Sequence, residues 1–115
     1  MATLEEVAGN WAELLLVRQA ARLEDILLKG NVEKMPPQYA TAALIYHRLT
    51  VEERDGFLLF MKVVAVDTAA QVLNELGGAS SDVAPGVDFQ VTLEGRDVTC
   101  DLVEEFLSQV EERGF

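Results

Sequence analysis

"GFLLFMKVVAVDTAAQVLNEL", residues 56–76, is the most apolar stretch of the chain, and it carries charges at Lys62 and Asp67. Whether it crosses a membrane, fills a core or meets another molecule decides how the rest is read. A span needs about 20 mostly apolar residues without central charges. Lys62 and Asp67 sit near the middle, Gln71, Asn74 and Glu75 follow, and each central charge costs roughly 2.5–3.5 kcal/mol on insertion scales. The stretch is therefore expected outside a membrane. At about 100° per residue, Asp67, Gln71 and Asn74 share one side of a helix, and the same side followed backward meets Phe60 and Val63. Between Phe57 and Val66 only Lys62 breaks the apolar circumference. A helix apolar nearly all round calls for cover all round. Phe57, Phe60, Val63 and Val66 are accordingly assigned to the core or to a subunit interface, with this helix at the centre.

The neighbouring elements declare themselves by their ends. Thr50 can cap the long helix and Glu53 can answer three residues on, so it is expected over Val51–Leu76, ending at Gly77-Gly78. Upstream, Thr3 and Glu6 repeat the capping box for a first helix that runs to Lys29 and stops at Gly30-Asn31. Its face of Leu4, Val7, Trp11, Leu14 and Leu15 continues as Arg18, Arg22, Asp25 and Lys29, while later apolar residues lie on other sides. The apolar stripe changes azimuth near Val17, so the helix is expected to bend, break or face two different neighbours. Pro36 and Pro37 interrupt the chain and admit a second helix over roughly Gln38–Leu49.

Downstream, "GGASSDVAPG" reads as a loop. Val87, Phe89, Val91 and Leu93 alternate with Asp88, Gln90, Thr92 and Glu94, the period of a half-buried strand. Glu94-Gly95 can turn a hairpin that must pack on the helices or pair with a strand of another chain. Asp101 with Glu104 can open a final helix whose Leu102, Val103, Phe106, Leu107 and Val110 form one stripe. The expected fold is mostly α (α+β): one domain over residues 1–115, four helices with a long central third helix, and one β-hairpin before the C-terminal helix.

A chain of 115 residues, half of them apolar and a quarter charged, can bury a core without staples. The single cysteine, Cys100, allows no internal disulfide and fits a reducing compartment. No basic segment followed by an apolar one opens the sequence, so a cytoplasmic location is expected. The net charge of −11 argues against nucleic acid, whose phosphates need cations to neutralise them. The charge is also uneven. Residues 1–62 hold seven cations against nine acids, and residues 63–115 hold two against eleven. That half can steer a basic partner.

No catalytic residue, metal ligand set or cofactor is expected. His47, the lone histidine, falls near a helix end, where a cation favours the dipole. Cys100 has acidic neighbours that oppose a thiolate, so a buried or half-buried structural thiol is expected. Glu52 with Asp55, and Asp101 with Glu104, have the spacing of paired carboxylates on one helix face, but both pairs coincide with helix starts, where acids also cap. Arg18, Arg22 and Lys29 read as a solvent face salt-bridged through Asp25.

These readings favour a non-enzymatic acidic protein-binding module, in composition like the immunity proteins and antitoxins that inhibit basic enzymes. Asp97, Asp101, Glu104, Glu105, Glu111 and Glu112 would steer the basic partner, and the hairpin edge and last helix would touch it. Surplus apolar helix surface adds an expected homodimer. The alternatives are a metal-dependent hydrolase of a phosphorylated small molecule, built on Glu52, Asp55, Asp101 and Glu104, and a purely structural homodimer.

Overall fold

The computed structural model describes residues 2–77 and 88–115. It is mostly helical, with a two-stranded antiparallel hairpin before the last helix. The first helical run comprises α1 (Leu4–Glu13), a π-helical turn (Leu14–Arg18) and α2 (Gln19–Lys29). α3 (Pro37–Arg48) and α4 (Val51–Leu76) follow, then β1 (Thr92–Leu93), β2 (Arg96–Asp97) and α5 (Leu102–Glu112). The expected loop after Gly77 and Val87 of the expected strand lie outside the described residues.

Local chemistry explains most boundaries. The Thr3 hydroxyl accepts from the Glu6 amide at 3.1 Å. At α4 the capping box closes in both directions: the Thr50 hydroxyl accepts from the Glu53 amide, and the Glu53 carboxylate from the Thr50 amide at 2.8 Å. Pro37 occupies the first position of α3, where its missing N–H costs nothing. The break expected near Val17 takes the form of the π-turn. Its wider winding displaces the following side chains around the axis, so the apolar stripe resumes on another side in α2.

α4 is a spine carrying two small cores. Toward its C-terminal end, Val66 packs with Ala12, Leu16, Phe106 and Val110, flanked by Ala69, Ala70 and Leu73. Toward its N-terminal end, Phe57 and Leu58 pack against Leu27, Ala43 and Tyr46. Half-buried Lys62 falls between the two sets. The resulting body measures 47 × 30 × 22 Å with a radius of gyration of 17.2 Å, against about 13 Å for a compact chain of this length.

α1 and α5 run in the same direction. Leu4 borders Asp101 and Ser108, Gly9 meets Gln109, and Glu13 reaches Arg113. Ala8, Gly9 and Ala12 form the buried side of α1; their small side chains let the helices approach. The large residues expected on that face, Trp11 and Leu15, are only half-buried, and Leu14 is exposed.

The structure corrects three local expectations. The ladder is confined to the register Thr92↔Asp97 and Leu93↔Arg96. Asp88–Val91 is not strand and Phe89 is exposed, because an unaccompanied pair of strands has no covering face to hold a longer one. Asp101 makes no capping hydrogen bond. A 3-10 turn over Thr99–Asp101 leads into α5 instead, and the Asp97 carboxylate accepts from the Thr99 amide at 2.9 Å. Cys100 is exposed, not buried, since Val98 and Leu102 on either side take the inward positions of that turn.

Candidate interaction surface

Of the two places expected for the apolar surface of α4, core or interface, the core of its own chain takes only part. Val66 is the single buried residue of α4. The residues assigned together to core or interface separate: Phe57 joins the cluster around Tyr46, Val66 joins the other core, Val63 is half-buried, and Phe60 is 64% exposed. Leu59, Val64 and Val72 are also exposed. The helix has the length and composition of a membrane span, yet only 6% of its apolar window is buried. The reason is geometric. Among the described residues, the elements that pack on α4 cover part of its circumference, and none covers the side that carries Phe60 and Val64.

The exposed side has an order. Gly56, Phe60, Val64, Thr68 and Val72 recur every four residues and are all exposed. Four residues advance 400° around a helix, so this uncharged row drifts about 40° at each step, roughly 160° from Gly56 to Val72, along about 24 Å of axis. Among the described residues, nothing outside the local helix backbone lies within 4 Å of where a Cβ on Gly56 would sit. At its other end, Val72 forms the lip of an apolar groove of about 290 Å³, lined also by Trp11, Leu14, Leu15, Leu73 and Phe106. The π-turn supplies Leu14 and Leu15 to this groove. Carboxylates of Glu53 and Asp67 flank the row.

The acids proposed for steering are distributed differently. Asp101, Glu104 and Glu105 stand at the start of α5 and Glu111 and Glu112 at its end; all are exposed except Glu105, which is half-buried and accepts from the buried Gln109 at 3.3 Å. Leu4 and Ser108 join the first three in a shallow concavity. Among the described residues none of these five is ion-paired. Asp97 stands apart in the hairpin. Hydrogen bonds from the Thr99 hydroxyl, at 2.6 Å, and amide hold its carboxyl below the ordinary range. That carboxylate is committed to the turn.

The remaining candidates do not assemble into a reaction centre. Glu52 and Asp55 stand at the start of α4 and Asp101 and Glu104 beyond its end, about 30 Å away along the helix at 1.5 Å per residue. The four carboxylates cannot share one metal. Among the described residues no group of three His, Cys, Asp or Glu side chains gathers at metal-binding distance. His47 is exposed in the last turn of α3. Asp25 pairs with Lys29 at 2.9 Å, which raises the Lys29 pKa, while Arg18 and Arg22 stay exposed.

Sequence reasoning missed Arg54 and Gln109. The Arg54 guanidinium donates to the Tyr46 carbonyl at 3.0 Å and the His47 carbonyl at 3.3 Å, and lies over the Tyr46 ring. It caps α3 and clamps it to α4. Burial pushes the Tyr46 phenol above its ordinary pKa. Gln109 is buried against Gly9 and accepts from Arg113 at 3.1 Å. No family model, curated protein or solved structure matches the chain.

Proposed function

We infer that the protein is a non-enzymatic, acidic protein-binding module, with the Gly56–Val72 row of α4 as its docking surface. The observation that carries this reading is the exposure of Phe60, at 64%, in the middle of an uncharged row. Burying apolar surface contributes about 25 cal/mol per Å², so a protein chain laid along this row gains what the fold itself leaves unused. Glycine inside a helix costs roughly 1 kcal/mol relative to alanine. Open space lies where a Cβ on Gly56 would point, which suits a surface that another backbone approaches closely. The acids of α5 add a field that steers a cationic partner and acts chiefly on its association rate.

The reading is tested by placing a photo-crosslinking residue at Thr68, an exposed member of the row, in the native cell. The expected result is a discrete adduct with a polypeptide, identified by mass. Irradiation that yields only unlinked protein would overturn the docking surface. The hydrolase reading has no such observation behind it, because its carboxylate pairs lie at opposite ends of α4.

A further inference from the structure

We propose that the docking surface inferred above receives an amphipathic helix of another protein, one that carries a lysine or arginine seven residues to either side of an apolar centre. The proposal rests on that surface and names the pattern its occupant must have.

The pattern is set by charge at the middle of α4. Leu59, Phe60 and Val64 are exposed there, and Val63 is half-buried. Glu53 precedes Phe60 by seven residues and Asp67 follows it by seven. A heptad drifts only about 20° around a helix. The three side chains therefore stand in one line, with a carboxylate about 10 Å before the ring and another about 10 Å beyond it. Both acids are exposed. Glu53 gives one carboxylate oxygen to the Thr50 amide, and among the described residues neither acid is ion-paired. The neighbouring cations are turned elsewhere. Arg54 is held on the α3 carbonyls, and Lys62, two residues past Phe60, lies about 160° away around the axis. An apolar centre bracketed by two uncompensated carboxylates is complementary to a cation, an apolar side chain and a cation at the same intervals.

The intervals select a helix. A partner helix has the same rise as α4, so its own seven-residue steps keep cation, apolar centre and cation in one line. A shallow crossing of about 20° holds the two lines together. An extended segment rises about 3.3 Å per residue and needs three residues for each step, which turns successive side chains to opposite faces. Gly56, one turn before Phe60 with open space beside it, lets the partner backbone come close on that side. The line of charge reads the same in both directions, so it accepts the partner helix in either. It refuses a second copy of this chain. Such a pairing sets the carboxylates of one molecule against those of the other, on chains of net charge −11.

The experiment is an NMR titration of the full chain, followed at the amides of residues 59–64, with synthetic helical peptides of about 22 residues. One peptide has leucine at its centre and one turn to either side, with lysine seven residues before and after the centre. The second has the same composition with both lysines moved to the opposite face. The expected result is that the first peptide binds and the second binds about ten-fold more weakly. Raising salt from about 0.05 to 0.5 M should loosen the first several-fold. Glu53→Gln, whose amide oxygen can still cap Thr50, and Asp67→Asn should each weaken it about three-fold. Phe60→Thr should weaken it more than about ten-fold, and Glu112→Gln on α5 should leave it unchanged. Asp67→Lys should weaken it about ten-fold, and a peptide with glutamate in place of one lysine should recover that loss. All these changes fall on exposed positions, and circular dichroism checks that each variant is folded.

No shift at about 1 mM of the first peptide overturns the proposal. So do two peptides of equal affinity, shifts centred away from Phe60, or variants at Glu53 and Asp67 no weaker than Glu112→Gln. A crosslink from Thr68 to a second copy alone overturns it as well. If the peptides fail while Thr68 still crosslinks to another polypeptide in the cell, the docking surface stands and its charge pattern falls. If both fail, both fall.

Discussion

At the scale of single residues, the joint between hairpin and last helix depends on one carboxylate. Asp97 accepts from the amide and hydroxyl of Thr99, and the Thr99 hydroxyl in turn accepts from the Val91 amide at 2.8 Å. Charge on Asp97 favours this set, so its folded pKa lies below the ordinary 3.8. A depressed folded pKa stabilises the native state above the unfolded value, and that stabilisation is lost as pH falls through the folded one. An NMR titration of the Asp97 carboxyl should show its midpoint below 3.8 and return it toward that value in Thr99→Val. An unchanged midpoint would show that the hydroxyl contributes nothing. The turn beside it sets another local demand. Glu94 and Gly95 both have positive φ, 50° and 83°, as a two-residue hairpin turn of this hand requires. Glycine meets the demand freely and Glu94 does so at some strain.

At the scale of elements, Gly56 gives the plainest prediction. It sits in the first third of α4, with open space where a Cβ would go. Gly56→Ala should raise the unfolding free energy by about 0.5–1 kcal/mol. Denaturant titration at low micromolar concentration checks it, and a loss of stability would place an unseen neighbour at that site. Elements of this kind were legible because their signals are local. The Thr50–Glu53 box, Pro37, the Gly77 stop and the Glu94-Gly95 turn each act within a few residues of chain. The azimuth change near Val17 was also visible, although a bend, a break and a π-turn leave the same mark on a periodic pattern. The inward side of α1 was not legible. Pattern reading weights large apolar residues, whereas close packing of parallel helices selects Ala8, Gly9 and Ala12. Arg54 was missed for a related reason. Its acceptors are main-chain carbonyls of α3, which no side-chain motif reveals. The candidate surface was half legible: composition marked surplus apolar area between Phe57 and Val66, but which residues turn outward depends on where the short helices dock.

At the scale of the whole molecule, the two cores are joined by α4 and by the first helical run, which gives Ala12 and Leu16 to one and Leu27 and Leu28 to the other. A structure of this kind is expected to open in parts. Phe106 is fully buried in one core, and Phe106→Leu should remove about 1–1.5 kcal/mol there. Amide hydrogen exchange in α1 and α5 should then quicken by about ten-fold, with the amides of α3 unaffected. Equal acceleration in α3 would show a single cooperative unit. The break between the cores falls at Lys62, and the Gly56–Val72 row passes over it on the outer side. Whatever clasps that row therefore splints a joint. Bound, the two ends must melt together; alone, either can fray while its opposite number holds.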